Sequence, residues 1–140
     1  MFSKILVPID LSEKELSARG VAAAIEIAKT SNAQIRLLAV QPLVPLAFMD
    51  YAPPNFDDEL RAATEKDLAD ALAKIDYAKE RVSSVMRFGG VYPEVLAEAR
   101  DWSADLIVVC SHRPTMATYL IGSNAKTIVR HATCSVLVVR

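Results

Sequence analysis

The feature that most constrains the fold is a series of short apolar runs separated by longer segments. Four runs are clear: KILVPI (4–9), QIRLLAV (34–40), DLIVVC (105–110) and SVLVV (135–139). All are rich in Leu or β-branched residues, and three of them do not alternate with polar residues, which is typical of strands buried on both faces. RVSSVMRF (81–88) alternates imperfectly and is predicted as a weaker fifth strand.

The segments between these runs have helical periodicity. The first of them carries Leu16, Val21 and Ala28 on one side, with charged residues elsewhere. The predicted helices span 13–30, 56–76, 93–102 and 123–131. Strict alternation of strands and helices forces right-handed crossovers and a mostly parallel sheet with helices on both faces. The chain is therefore predicted to be an α/β protein with a doubly wound five-stranded sheet.

Several residues predict where these helices begin. Ser12 is placed to be an N-cap, with Glu15 completing a capping box. Pro93 suits the first turn of its helix, and Ser123 is a candidate cap directly after Gly122. Residues 41–55, QPLVPLAFMDYAPPN, contain four prolines and no clear period, so they are predicted to form a long loop.

The length indicates the number of domains, and the net charge argues against some classes of partner. The 140 residues suit one domain, spanning 1–140, that buries roughly two-thirds of its unfolded surface. The net charge of −1 provides no global field that would attract nucleic acid or an anionic membrane. No apolar run is long enough for a transmembrane helix, and Pro8 and Asp10 interrupt the N-terminal run before it resembles a signal peptide. We expect cytoplasmic residence.

The two cysteines are expected to be free. Cys110 ends one predicted strand, whereas Cys134 precedes the next. In parallel strands these are opposite edges of the sheet, separated by about five residues at ~3.3 Å each, and a disulfide needs Cα atoms within ~7 Å. Both are therefore predicted to be small buried hydrophobic residues, with a reactive thiol as the alternative.

The ends of the first two strands supply candidate ligand contacts. In open α/β sheets, ligands bind beyond the carboxyl ends of the strands, where the strand order reverses. Pro8, Ile9 and Asp10 leave the first strand there. Asp10 either caps the turn into the first helix or binds a ribose hydroxyl or a base amino group. Val40 ends the second strand and can supply an apolar wall and backbone polar groups.

The richest set of polar groups lies in CSHRPTMATYLIGSN (110–124). Ser111 and His112 offer hydroxyl, imidazole and amide groups, while Arg113 supplies a fixed charge suited to phosphate. Each has an ordinary structural role open to it, but together they bracket one crevice and favour phosphate binding. Gly122 permits close backbone approach, and the helix after it presents free N–H groups. The predicted contacts in this loop are Cys110, Ser111, His112, Arg113, Gly122, Ser123 and Asn124.

Over essentially its whole length the chain resembles the universal stress protein family. The resemblance is carried by KILVPID at the start, PEVLAEARDWSADLIVV in the middle and LIGSNAKTIVRHATCSVLVVR at the end. Within the family the chain is similar to the short bacterial members lettered F and G, which share the Ser-His-Arg-Pro loop. The resemblance implies an adenine nucleotide alpha hydrolase-like fold with strand order 3-2-1-4-5. It also implies a regulatory role in the stress response and ATP as ligand, with or without Mg²⁺.

The glycine loop departs from the family pattern. Many members bind ATP through Gly-x2-Gly-x9-Gly-Ser/Thr, and here Cys110 stands at the first glycine. The second glycine is deleted, so Arg113 directly follows His112 and the loop is one residue shorter. Fewer glycines leave less room for the backbone to approach phosphates. Arg113 is predicted to compensate with its charge.

Three functions are compatible with these residues. In a nucleotide-binding regulatory module, Asp10 would bind the ribose or adenine and Val40 the base, with phosphates held by Ser111, Arg113, Ser123 and Asn124. A nucleotide-independent interaction scaffold would use the same loop structurally. An enzyme of the wider fold class is disfavoured because the Ser-Gly-Gly-x-Asp-Ser and His-x-Gly-His strings are absent. We expect at most slow ATP hydrolysis and no metal site built by the protein alone.

The last strand predicts self-association. SVLVV lies at the predicted edge of the sheet, where apolar side chains and unpaired backbone groups would be exposed, and Arg140 is the one charge beside it. The family resemblance implies homodimers paired through this strand. We therefore expect antiparallel pairing of Ser135–Val139 with the same strand of a second copy.

Overall fold

The structure, a computed structural model, describes residues 1–43, 45–111 and 122–140. Its five strands are β1 (Lys4–Ile9), β2 (Gln34–Gln41), β3 (Val82–Phe88), β4 (Leu106–Cys110) and β5 (Ser135–Val139). All four pairings between neighbouring strands are parallel, in the order β3-β2-β1-β4-β5. This confirms the doubly wound sheet and the strand order that the resemblance implied.

Helices connect the strands and cover the sheet. They are α1 (Lys14–Ser31), α2 (Leu46–Met49), α3 (Phe56–Ala73), α4 (Val91–Trp102) and α5 (Ser123–His131), with a 3₁₀ turn at Lys79–Arg81 before β3. Within the described ranges, no helix has both the length and the apolar character needed to cross a membrane.

Each face of the sheet has its own core. Side chains alternate along β1, so Ile5 and Val7 pack toward α1 and α3, while Leu6 packs toward α4 and α5. The central strands are buried on both faces, which explains why their sequences lack polar alternation. Fully buried members of the two clusters include Ile35, Leu37, Val108, Leu38, Val95 and Ile107.

The structure contradicts both predicted caps. Helix α1 begins at Lys14 with Glu13 as its N-cap and no side-chain cap bond, so Ser12 and Glu15 form no capping box. Ser12 is held instead by the Asp10 carboxylate, which accepts hydrogen bonds from the Ser12 N–H (2.9 Å) and hydroxyl. In α5, Gly122 is the N-cap and Ser123 is the first helical residue.

Apart from one-residue shifts at the ends of α1, β2, β3 and β4, three segments differ from the sequence prediction. Residues 41–55 are not wholly loop, because α2 forms at Leu46–Met49 directly after Pro45, whose fixed φ suits a helix start. The helix predicted from Pro93 begins two residues earlier, at Val91. Proline is tolerated at this third helical position because the first-turn N–H groups have no partner within the helix. Helix α3 ends at Ala73 rather than at 76.

Candidate functional site

A crevice of about 1120 Å³ opens at the carboxyl ends of β1, β2 and β4. In the observed order the chain runs outward from β1 to β3 on one side and through β4 to β5 on the other, so β1 and β4 flank the point where the order reverses. Parallel strands leave a gap at such a point because their connections depart to opposite faces. The fold therefore forms this crevice where the sequence predicted ligand contacts.

Most of the predicted residues lie together in this crevice. The lining includes Pro8, Ile9, Asp10, Val40, Cys110, Gly122, Ser123 and Asn124. Ser111 is not among the lining residues, and its N–H donates to the Val139 carbonyl (2.9 Å), which extends the pairing of β4 with β5. His112 and Arg113 lie outside the described residues.

Asp10 organises the turn between β1 and α1. Its carboxylate accepts from Ser12 as described, and its carbonyl accepts from the Glu13 N–H (3.0 Å). Its own N–H donates to the Ser17 hydroxyl oxygen (2.9 Å), and that hydroxyl donates to the Asp10 carbonyl (3.0 Å). Asp10 therefore stabilises the turn into α1, which is one of the two roles that the sequence allowed for it. Because these bonds fix the turn, they also hold the exposed carboxylate at the rim of the crevice.

The first turn of α5 faces the crevice from the β4 side. Gly122, Ser123 and Asn124 line it, and Gly122 has extended backbone (φ −52°, ψ 151°) leading into the helix. The first N–H groups of a helix have no partner within the helix, and the helix dipole adds partial positive charge there. This turn is a suitable anion-binding surface.

Cys110 packs toward α1 at the end of β4. It continues the row of Leu106 and Val108 on the face that α1 covers, and its thiol donates to the Leu16 carbonyl (3.1 Å). Burial raises the pKa of the Cys110 thiol above its ordinary value. Burial likewise raises the pKa of Cys134, and both residues are free thiols, although they are only partly buried, whereas the sequence predicted buried residues. Neither is a reactive thiolate near neutral pH.

Sequence reasoning missed the contribution of α1. The crevice is also lined by Glu13, Glu15, Leu16, Ser17 and Arg19. Each reads as an ordinary helix-start residue, but α1 follows β1 after only four residues, so its first turns necessarily cover the end of that strand. The signal was therefore the short β1–α1 connection rather than any motif.

Charge is unevenly distributed around the crevice. On the α1 side, Asp10, Glu13 and Glu15 supply three carboxylates and Arg19 one guanidinium. On the α5 side, the described lining has no acidic residue. An anionic ligand group is therefore favoured against α5 and repelled by the α1 side.

An apolar wall lies between the acidic α1 side and the first turn of α5. It consists of Leu38, Ala39 and Val40 from β2, Val91 from α4 and Ile128 from α5. The Gln41 side chain donates to the hydroxyl of buried Thr64 (2.9 Å), which fixes the end of β2 against α3. A flat apolar group such as a nucleobase suits this wall.

The fold and site define a doubly wound α/β protein with a ligand crevice at the point of strand reversal. The family model for the universal stress protein family matches residues 1–140. The chain is 34% identical over 143 residues to universal stress protein G of Shigella flexneri, covering 100% of both proteins. The chain belongs to the universal stress protein family.

Solved structures share the fold. The universal stress protein UspA from Lactobacillus plantarum superimposes with a TM-score of 0.77 at 21% identity, covering 99% of this chain and 97% of that one. A universal stress protein in complex with cAMP superimposes with a TM-score of 0.64 at 24% identity, covering 99% of this chain and 97% of that one. The expectation of family membership from the sequence is confirmed.

Proposed function

We propose that this stress protein binds ATP in the β1–β4 crevice and acts as a nucleotide-responsive regulatory homodimer. The observation that carries the proposal is the crevice itself, which combines an apolar wall, a carboxylate at the rim and a helix N-terminus. Its volume of about 1120 Å³ exceeds the ~300–1,000 Å³ of typical small-molecule sites and leaves room for a nucleotide with bound water.

The lining suggests how ATP would lie. Adenine fits the apolar wall at Val40, and Asp10 can accept hydrogen bonds from ribose hydroxyls. The phosphates are directed toward Gly122, Ser123 and Asn124, where first-turn N–H groups favour negative charge. Arg113 follows β4 by three residues in the sequence and is proposed to supply the cation that this side needs.

The carboxylates near α1 favour a metal-bound nucleotide. Asp10, Glu13 and Glu15 would repel a free triphosphate from their side of the crevice. Among the described residues, no cluster of three or more potential metal ligands is present. Mg²⁺ is therefore proposed to arrive on the nucleotide, where it reduces this repulsion.

A structural neighbour was solved in complex with cAMP, which makes an adenine nucleotide the ligand class to test here. That likeness lies below 25% identity and bears on the fold. The choice of ATP therefore depends on the local geometry of this chain, namely an extended path from the apolar wall to the α5 turn.

Calorimetry tests the proposal. Nucleotide-free protein titrated with Mg-ATP is expected to bind with micromolar affinity. Arg113→Ala and Ser123→Ala are each expected to weaken binding about tenfold, the loss of one contact worth ~1.4 kcal/mol. Arg130→Ala is the matched control, because Arg130 lies in α5 outside the crevice lining and its loss should change the affinity less than about twofold.

The same titration separates the alternatives. Absence of heat with Mg-ATP, in a protein that is folded by circular dichroism, would leave the nucleotide-independent scaffold as the function. Binding that is equally strong in all three variants would contradict the proposed orientation of the phosphates. Loss of binding on adding EDTA would support the role of Mg²⁺.

The homodimer is proposed through β5. This strand is an edge of the observed sheet, and Leu137 is 36% exposed on it. Antiparallel pairing with a second β5 would satisfy its free backbone groups and cover these side chains.

A further inference from the structure

Helix α1 and strand β4 are in close contact at Gly20. This residue is buried, and a Cβ placed on it would lie 2.6 Å from the Cys110 Sγ. The same Cβ would lie 3.9 Å from side-chain carbons of Val7 and Val108, which is ordinary contact. The space that glycine leaves is therefore occupied by one atom, the sulfur of Cys110.

That sulfur joins two walls of the crevice. Cys110 is the last residue of β4 and lines the crevice, and its thiol donates to the carbonyl of Leu16, which also lines it. Arg19, beside Gly20 in the chain, lines the crevice as well. The contact thus lies directly beneath the first turns of α1, on the side that carries Glu13 and Glu15.

We propose that Gly20 is a positioning residue for the crevice. By admitting the Cys110 side chain between α1 and β4, it sets the separation of these two walls and holds the thiol against the helix. A methyl group at position 20 must displace either the sulfur or the helix. The sulfur can move by rotating about the Cα–Cβ bond of Cys110, and helix movement shifts Leu16 and Arg19. Either response changes the shape of the ligand site.

This inference rests on the proposed ATP site for its functional consequence, but its structural part can be measured without a nucleotide. The test is a double-mutant cycle of wild type, Gly20→Ala, Cys110→Ala and Gly20→Ala/Cys110→Ala. The alanine at 110 removes only the sulfur, so it relieves the conflict that alanine at 20 creates.

The first readout is Mg-ATP affinity by calorimetry. Gly20→Ala is expected to weaken binding at least fivefold. Cys110→Ala removes an atom of the crevice lining, so it serves as the reference for the double variant, which is expected to bind within twofold of Cys110→Ala. A role limited to core packing would leave the affinity of the folded protein unchanged by Gly20→Ala.

Ala28→Gly is the matched control. Ala28 is a fully buried residue of the same helix, in its last turn and at the opposite end of the sheet from the crevice. The variant is expected to lower the melting temperature without changing the affinity of the folded protein. Affinity that tracks melting temperature across all five proteins would overturn the positioning role.

The second readout is the amide chemical shifts of Leu16, Ser111 and Ser123 in the nucleotide-free protein. Gly20→Ala is expected to shift all three, and the double variant to give the same shifts as Cys110→Ala alone. If wild type binds no ATP, the proposed function fails while this readout still decides the positioning role. Shifts confined to the neighbours of position 20, or unchanged by Cys110→Ala, would overturn it.

Discussion

The two edge strands of the sheet, β3 and β5, differ in how far the rest of the chain covers them. Strand β3 is half-buried along its whole length, and Arg87 near its end binds Glu94 and Glu98 of α4 (2.7 Å each). On the other face Arg61 of α3 lies 4.8 Å from the centre of the Phe88 ring. Strand β5 has exposed residues at Ser135 and Leu137, and the charged residue beside it in the chain is Arg140. Side chains of α3 and α4 cover the two faces of β3, whereas β5 exposes the apolar Leu137, a feature of a surface that pairs.

The charged residues are also unevenly distributed along the chain. Residues 106–140 contain four Lys or Arg and no Asp or Glu, so all seventeen acidic residues lie in 1–105. The quarter of the chain that carries β4, α5 and β5 is therefore basic, whereas residues 1–105 carry seventeen acidic and twelve basic residues. A difference of this kind makes the two edges unequal partners for any second copy.

The largest expected effect is on assembly at β5. Leu137→Asp places a charge where the proposed β5–β5 contact would bury it, which should weaken the dimer by more than about 100-fold, or ~3 kcal/mol. The monomer should stay folded because Leu137 is 36% exposed. Sedimentation velocity over a range of concentrations measures the dissociation constant, and thermal unfolding checks the fold.

Ser84→Asp on β3 is the matched control for that variant. It introduces the same charge in the middle of the opposite edge strand and should leave the association unchanged. A dimer that survives Leu137→Asp but not Ser84→Asp would reverse the assignment of the two edges.

The next effect concerns the ion pairs that cover β3. Glu98 is 5% exposed and accepts from Arg36 of β2 (2.8 Å) and from Arg87. Glu98→Ala leaves two guanidinium groups facing each other without their shared partner. Breaking a buried pair costs about 3–5 kcal/mol, and the partial exposure of both arginines reduces the expected loss to ~2 kcal/mol. Urea unfolding measures it.

Asp101→Ala is the control for that loss. Asp101 also pairs with Arg87, at 3.4 Å, but its side chain is 60% exposed. The expected change is below about 0.5 kcal/mol. Equal effects of the two variants would show that burial does not determine the strength of this network.

Hydrogen bonds and charges from Glu94 and Glu98 raise the pKa of Arg87, so its charge persists at every working pH.

This network also shows what the sequence could not predict. Arg36 and Glu98 are 62 positions apart, and each reads locally as a solvent-facing charge. Periodicity reports which side of an element is buried, and it gave β3 correctly as a strand. It carries no information on which charges meet across the sheet, because that depends on the packing angle of α4.

The candidate site also contains residues that the sequence could predict and residues that it could not. Residues at strand ends were predictable, since parallel topology brings Pro8, Val40 and Cys110 to one edge. The capping role of Ser12 was wrong because the Asp10 carboxylate, two residues away, competes for the same hydroxyl. The contact of Gly20 with Cys110 could not be predicted, because an isolated glycine in a helix has no periodic signal.

A smaller effect should appear in the salt dependence of the dimer. Pairing two β5 edges would bring together two copies of the basic segment 106–140, and added salt screens their repulsion. The dissociation constant is expected to fall about threefold between low and high salt, or ~0.6 kcal/mol. Arg130→Glu should remove this dependence. A dimer that weakens with salt would indicate attraction between the basic segment and the acidic part of the second copy, and hence an interface that includes the β3 edge.

The smallest expected effect is a loss of folding stability at alkaline pH, and it arises from Cys110 and Cys134. Burial raises the pKa of Cys110 and Cys134 above their ordinary 9.0, so the folded state holds both thiol protons more tightly than the unfolded chain. Below pH 9 both states are protonated and stability is unaffected. Above it the unfolded chain loses protons first, and stability falls until the folded thiols ionise too. Urea unfolding from pH 8 to 10.5 should show this decline, and Cys110→Ala/Cys134→Ala should reduce its slope. An unchanged slope would mean that other groups cause the alkaline loss.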